Sequence, residues 1–458
     1  MKKLPNISKI TMAVAAALCV QSPAFAQTLK DAVDQTVQTN PDVRQEANQR
    51  LANEEAVKGA RGGFFPKVDV GAGYGREWSK NATTRALSVA GTAATNKYYG
   101  NDGYTLDRRE ANATLSQMLF DGFGVSSEVD RNKSRVESAA YKTAGTAEYT
   151  GLRAVEAYLN VLRNRDLVRL TKANVEYHLK VQDQITVRSG GGVGRKSDQE
   201  QVEARVGLAR ANLVSAEANL RDVEVNYLRT VGAKPGPLVR PNGPTAAELP
   251  KTEDDAIKIA VENHPILKSA TADVKAADYQ REAAKSFMYP RFDVELGWGN
   301  NEDLDGQPGP NDERYAMLRA RWNLFKGGSD YARIKETGYL TSVATEIANR
   351  TRRQVEESIS LSWNTMYSAQ NALPDLRQHF EKSVATRNSY SQQFTLGQRT
   401  LLDLLDSENE AFSAEQNYIS RNYLEVFARY RLLADMGQLL SHLGVTPPEE
   451  SLVVAEQR

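Results

Sequence analysis

Apolar residues follow two periods along this chain, and each change of period marks an element. Residues 29–38 read as a short helix. Asn40-Pro41 then restarts a helix running to about Ala60, with Asn40 as its cap and Pro41 in its first turn. Gly62-Gly63 ends it. Strict alternation follows, with Val68, Val70, Ala72 and Tyr74 on one face and Lys67, Asp69, Gly71 and Gly73 on the other, which is a strand signal. A polar loop at about residues 79–103 leads to a second alternating run through Ala111, Ala113 and Leu115. Gly124 to Arg188 contains no proline and reads as one helix of about 65 residues, roughly 100 Å long, too long for a compact globule. The turn Gly190–Gly194 reverses the chain. The next helix carries the stripe Val202, Val206, Ala209, Leu213, Ala216, Leu220, Val223 and Tyr227, a heptad seam that requires a partner helix.

The whole plan is then repeated. Ala32, Pro41, Pro66, Asp69, Val70 and Gly73 correspond without a gap to Ala256, Pro265, Pro290, Asp293, Val294 and Gly297. Further along, Leu119, Phe120, Gly122, Gly192, Asp198 and Gly232 correspond to Leu324, Phe325, Gly327, Gly397, Asp403 and Gly437. The first copy is longer by about 19 residues, all between Gly73 and Leu119, so its loop between strands is the larger one. The second strand pair shows Phe292, Val294, Leu296 and Trp298, then Ala316, Leu318, Ala320, Trp322 and Leu324, on its apolar face. Its last helix carries Leu402, Leu405, Phe412, Ile419, Tyr423, Val426, Tyr430 and Leu433 in heptad rhythm, and Pro374 is expected to kink the long helix before it near Leu373. The helices after Pro41 and Gly194, stacked end to end, span roughly 80 Å, close to the single long helix beside them. The expected organisation is a leader at 1–26, repeat 1 at 27–232, a Pro-rich linker at 233–252, repeat 2 at 253–437 and a tail at 438–458.

The leader decides the compartment. Lys2, Lys3 and Lys9 precede an apolar run from Ile10 to Val20 and then Ala24-Phe25-Ala26, the pattern of a secretory signal peptide cut after Ala26. The run is too short to anchor in a bilayer. Cys19 is the only cysteine, and Leu18 stands where a lipobox needs a small residue, so lipidation is not expected. Lys and Arg number 58 against 58 Asp and Glu, which gives no bulk attraction to nucleic acid.

Strands of roughly a dozen residues suit a tilted membrane β-strand, which needs about 9–11. Two hairpins make four strands, which cannot close a barrel, and an open sheet edge is not tolerated in lipid. The chain must therefore oligomerise if the hairpins lie in a membrane. A dimer would give eight strands with a filled interior; a trimer would give twelve around an open lumen. The competing picture is a soluble coiled-coil scaffold with two exposed hairpins.

Candidate chemistry is sparse. GGGVGRKS at 190–197 approaches a phosphate loop, but Arg195 occupies the position of its second glycine and a helix precedes it where a strand is needed. It reads as a glycine-rich turn. His178, His264, His379 and His442 lack metal-ligand spacing and read as exposed or capping residues, so no cofactor, metal or catalytic group is expected. At the second turn, Asp403 and Asp406 lie three apart near a helix start and share a face. They either cap the helix or, repeated around a trimer axis, form stacked acidic rings that select cations.

The doubled helix–hairpin–helix plan, Asn40-Pro41 and His264-Pro265, LFDGF at 119–123, LFKGG at 324–328 and GQRTLLDLLDSENE at 397–410 resemble the TolC family of outer-membrane channel-tunnels over nearly the whole mature chain. The resemblance implies a trimeric twelve-stranded outer-membrane β-barrel, four strands per chain, continued by a long periplasmic α-helical barrel. It implies that Asp403 and Asp406 form the acidic ring of the periplasmic entrance. Arg399 would be a latch holding that entrance closed, with Asp198 and Ser197 as its partners. Phe394 departs from the family's usual tyrosine and shifts weight onto Arg399. A periplasmic adaptor would dock at the helical tips around Gly192, Gly194 and Gly397. An inner-membrane ABC transporter, or alternatively a proton-driven pump, would supply the energy. The expected role is the exit duct of a type I protein secretion system, with small-molecule efflux as the alternative.

Overall fold

The computed structural model describes residues 26–82, 84, 104–191 and 194–453. The leader, most of the loop at 79–103, and Gly192 with Val193 lie outside the described residues. The described elements are the helices α1 (Leu29–Thr39) and α2 (Pro41–Arg61), the strands β1 (Lys67–Ser79) and β2 (Tyr104–Phe120), and the helices α3 (Gly124–Gly190) and α4 (Lys196–Val231). The second series is α5 (Glu253–Asn263), α6 (Pro265–Lys285), β3 (Arg291–Glu302), β4 (Pro310–Arg321), α7 (Ser329–Thr395) and α8 (Leu401–Asp435), followed by the short α9 (Leu439–Leu443). The series repeats nearly residue for residue: α1 and α5 have 11 residues each, α2 and α6 have 21, and α3 and α7 have 67. Residues 233–252 contain no helix. The helix α7 runs on through Pro374 without a break.

The chain divides into two compact units. Among the described residues, the first comprises those up to Val33 and those within Ala154–Asn242 and Ser383–Ser420; the second comprises those within Asp34–Arg153 and Gly243–Lys382 and those from Arg421 to Val453. In the first unit the Tyr158 hydroxyl lies within hydrogen-bonding distance of the carbonyls of Gln27 (2.8 Å) and Val239 (2.5 Å), sharing its one proton between them and tying the segment before α1 and the linker to α3. Val202, Val206, Ala209 and Tyr227 of the α4 stripe are fully buried. In α8 the seam begins one residue earlier than the heptad reading places it. Leu401, Leu404 and Leu405 are buried while Leu402 is 50% exposed, because Leu401 and not Leu402 faces the buried cluster of Val181, Ile185 and Val202.

The second unit holds one four-stranded antiparallel sheet in the order β1-β2-β3-β4. The two hairpins are joined through β2 and β3, so one row across the sheet reads Val68, Leu115, Leu296, Ala316 and the next reads Lys67, Ser116, Glu295, Met317. One face is therefore apolar and stands exposed at Val68, Val70, Tyr74, Trp298 and Leu318. The other carries ion pairs: Asp293, 2% exposed, is bound by Arg291 at 3.0 Å and Arg321 at 2.7 Å, and Glu295 by Arg319. Among the described residues, strands β1 and β4 each leave one edge unpaired. No described helix is long and apolar enough to cross a membrane.

Local chemistry starts each long helix. The backbone turns at positive φ through Gly122 and Phe123, and the Asp121 carboxylate then accepts the first N–H groups of α3, those of Gly124 (3.0 Å) and Val125 (2.8 Å). Asn40 caps α2 by accepting from the Asp42 N–H at 2.9 Å. Glu148 of α3 accepts the N–H groups of Leu439 (3.1 Å) and Leu440 (3.3 Å) at the start of α9. Burial pushes its carboxyl from the usual 4.5 up to about 7, against the lowering effect of those two donors. The native state thus keeps a proton that the unfolded chain releases. The associated stability, on the order of 3 kcal/mol, is complete below the unfolded pKa and is lost as pH rises through the folded one. Glu148→Gln is expected to flatten that loss. Melting temperature measured against pH checks it, and an unchanged slope would refute the assignment.

Candidate functional site

The candidate site lies in the first unit, at the two helical turns. In the first turn α3 ends at Gly190 and α4 begins at Lys196. A Cβ at Gly194 would stand 2.8 Å from the Ser189 backbone nitrogen, so the close return of the chain requires glycine there. Ser197 is exposed and Asp198, half-exposed, is the acid of the first turn of α4.

The second turn is closed by Gly397 at φ +75°, whose N–H donates to the Phe394 carbonyl at 3.0 Å, while the Gln398 N–H reaches the Gln393 carbonyl at 2.9 Å. That is the left-handed cap that ends many helices. Thr400 then starts α8 through a reciprocal capping box. The Asp403 N–H donates to the Thr400 hydroxyl oxygen (3.2 Å), and the Thr400 hydroxyl (2.8 Å) and N–H (3.2 Å) donate to the Asp403 carboxylate. These hydrogen bonds from Thr400 hold the Asp403 carboxyl below its ordinary value, with a smaller contribution from nearby Arg399. Asp406 is exposed and stands 3.6 Å from the Arg205 guanidinium of α4. Asp403 therefore caps its helix as well as bearing charge, and Asp406 has an ionic partner in its own chain.

Arg399 turns back on its own copy. Its Nε donates to Gln393 Oε1 at 3.0 Å, and its guanidinium lies 4.2 Å from the Tyr390 ring centroid. Its described contacts within the chain are with that turn and not with Asp198 or Ser197. Gly192 lies outside the described residues.

Sequence reasoning missed two features. Arg188, in the last turn of α3, donates to the carbonyls of Phe394 (3.2 Å) and Thr395 (3.3 Å), with its guanidinium 4.5 Å from the Phe394 ring centroid. Deeper, Glu408 of α8 is 3% exposed and accepts from Asn174 of α3 (2.7 Å) and Arg387 of α7 (3.3 Å). Burial raises its pKa, opposed by Asn174 and Arg387. One signal for it was available: Glu408 continues the buried stripe of Leu401, Leu404 and Leu405, where a carboxylate must find partners. Of the histidines expected to be exposed or capping, His178 departs from that expectation. His379 is exposed, and the His264 N–H closes α5 by donating to Ala260. His178, however, is buried at 6% exposure on the inward stripe with Val181 and Ile185, and burial together with nearby Arg205 lowers its pKa. Among the described residues no His, Cys, Asp and Glu cluster fit to hold a metal is present.

The sequence profile described as "outer membrane efflux protein" matches residues 32–233 and 256–438. The outer membrane protein TolC of Escherichia coli is 23% identical over 451 residues, spanning 94% of this chain and 84% of TolC. The alkaline protease secretion protein AprF of Pseudomonas aeruginosa is 24% identical over 450 residues, spanning 91% of this chain and 86% of AprF. The solved outer-membrane channel OprN superposes with a TM-score of 0.74 at 17% identity, covering 90% of each chain.

Proposed function

Because the chain belongs to the outer membrane efflux protein family, an outer-membrane channel family and not an enzyme family, we propose that it is the exit duct of a tripartite type I secretion system, passing proteins across the periplasm and outer membrane. The observation that carries a duct is the sheet. One of its faces is apolar and exposed, the other is charged, and two edges stand unpaired. Three copies would join those edges into twelve strands with the ion-paired face inward, which leaves no open edge in lipid. Protein cargo is favoured by the likeness to a protease secretion protein along most of both chains. Small-molecule efflux is the second reading, favoured by the description of the matching family.

In this reading Asp403 and Asp406 ring the periplasmic entrance, and Arg399 keeps the second turn in its closed shape, with Asp198 and Ser197 available to it from a neighbouring copy. A periplasmic adaptor engages the turns around Gly192, Gly194 and Gly397, and an inner-membrane ABC transporter supplies the energy. Extraction is expected to require detergent and to give a heat-modifiable trimer band; a soluble monomer would sink the channel reading. Gene deletion should abolish secretion of a protein cargo and leave drug sensitivity unchanged, whereas the reverse result selects efflux. In bilayer recordings Arg399→Ser should raise resting conductance, and no change would argue against the latch.

A further inference from the structure

We propose that Arg188 is a positioning residue of the entrance: it clamps the second turn, which bears Arg399 and Asp403, to the first helix pair and holds the mouth closed. This rests on reading that end of the chain as a tunnel mouth.

The geometry is specific. The last carbonyls of a helix have no partner within it. At the end of α7, the Phe394 carbonyl, which also takes the Gly397 N–H, and the Thr395 carbonyl receive the guanidinium of Arg188 from α3 at 3.2 and 3.3 Å. The same guanidinium stacks 4.5 Å from the Phe394 ring centroid. Phe394 is itself 4% exposed, packed with Val181, Ile185, Val202, Leu401, Leu404 and Leu405. Arg188 thus sets one guanidinium nitrogen, Nη2, against both carbonyls at the rim of the apolar cluster that seats the turn.

The other contacts near the turn do different work. Those of Arg399, to Gln393 and Tyr390, stay inside the second copy and shape the turn without attaching it. The pair between Arg205 and Asp406 does cross between the copies, but at 3.6 Å with both side chains partly exposed it is weak and screened by salt. The Glu408 cluster crosses further along α8. Arg188 holds the end of α7 itself.

The repeat sharpens the assignment. Under the correspondence that pairs Asp198 with Asp403, the mate of Arg188 is Gln393. The second copy uses that position as an acceptor for its own Arg399, and the first copy uses it as a donor to its neighbour. If the mouth widens by moving the acid-bearing pair α7 and α8 away from α3 and α4, both carbonyl bonds and the ring contact must be released together. Because the acceptors are uncharged carbonyls, this clamp holds in salt that screens an ion pair.

The test uses the full-length trimer in planar bilayers. Arg188→Gln, which installs the residue of the other copy, is expected to raise the ratio of open to closed channel by about tenfold, the equivalent of about 1.4 kcal/mol. Arg188→Lys, which keeps the charge but not the planar group stacked on the Phe394 ring, should fall between. The trimer band and helix content should stay at wild-type values, which separates positioning from folding. The wild-type channel should remain closed between about 0.1 M and about 1 M salt. An assembled Arg188→Gln channel with the wild-type ratio overturns the proposal. If glutamine prevents assembly, an assembled lysine variant with the wild-type ratio overturns it equally. Wild-type protein that forms no pores would defeat the channel reading itself, a result distinct from a pore indifferent to Arg188.

Discussion

Replacing Asp403 and Asp406 together by asparagine is expected to lower the affinity of blocking multivalent cations on the order of 100-fold, about 2.7 kcal/mol at 1.4 kcal/mol per decade. Two carboxylates per chain become six in a trimer, and a ring of like charges at a constriction concentrates cations and excludes anions. Asparagine is the informative replacement because Asp403 has two tasks. Its carboxylate closes the capping box with Thr400, and an Asn oxygen can accept the same bonds without the charge. Alanine at both positions should lose the block and also about 1 kcal/mol of helix start. Block that persists in the asparagine channel would refute the ring; block lost only in the alanine channel would assign the effect to capping. Arg205, 3.6 Å from Asp406, already offsets part of the charge. Removing it by Arg205→Gln should therefore strengthen the block.

Arg387→Ala is expected to destabilise the packing around Glu408 by about 3–5 kcal/mol, because it leaves a buried carboxylate without its cation. Glu408 is 3% exposed and, among the described residues, keeps the Asn174 bond once Arg387 is gone. The loss should depend on pH in a definite direction. Burial already favours the protonated form of Glu408. The deficit is therefore greatest above the variant's own, further raised pKa for Glu408, shrinks as the pH falls through it, and is gone once the carboxyl is protonated in both folded proteins. Glu408→Leu combined with Arg387→Ala should recover most of the stability. Hydrogen exchange of the α8 amides around Glu408 reports the change. Equal protection in wild type and Arg387→Ala would show that the pair contributes nothing.

Periodicity exposed the rods, the hairpins and the turns because each repeats a local rule many times. Pro41, Pro265 and Gly397 act on their own neighbours, so their roles could be read from adjacent residues. The side chains that bind one helix pair to the next were not legible in that way. Arg188 reads as an ordinary basic residue at a helix end, where the dipole favours it, and only tertiary geometry shows that it serves the carbonyls of a different helix. Arg399 was legible as a functional candidate, but its partners were not. Tyr390 and Gln393 lie within ten residues of it and still required the turn to be folded. Asp403 was legible twice, as a cap and as a charge, and the capping box gives it the first role within a single chain.

The two helices of 67 residues place a constraint on how this protein can change. Deleting one residue from either would turn every later side chain by about 100° about the helix axis and withdraw it by about 1.5 Å. Asn174 and Arg387 would then no longer meet at Glu408. Steps of about seven or about eleven residues restore the facing to within about 20°, and only when both copies take the same step. The duplicated rod is thus a ruler kept in two copies, each checking the other. A lineage that must span a wider gap has to lengthen both at once.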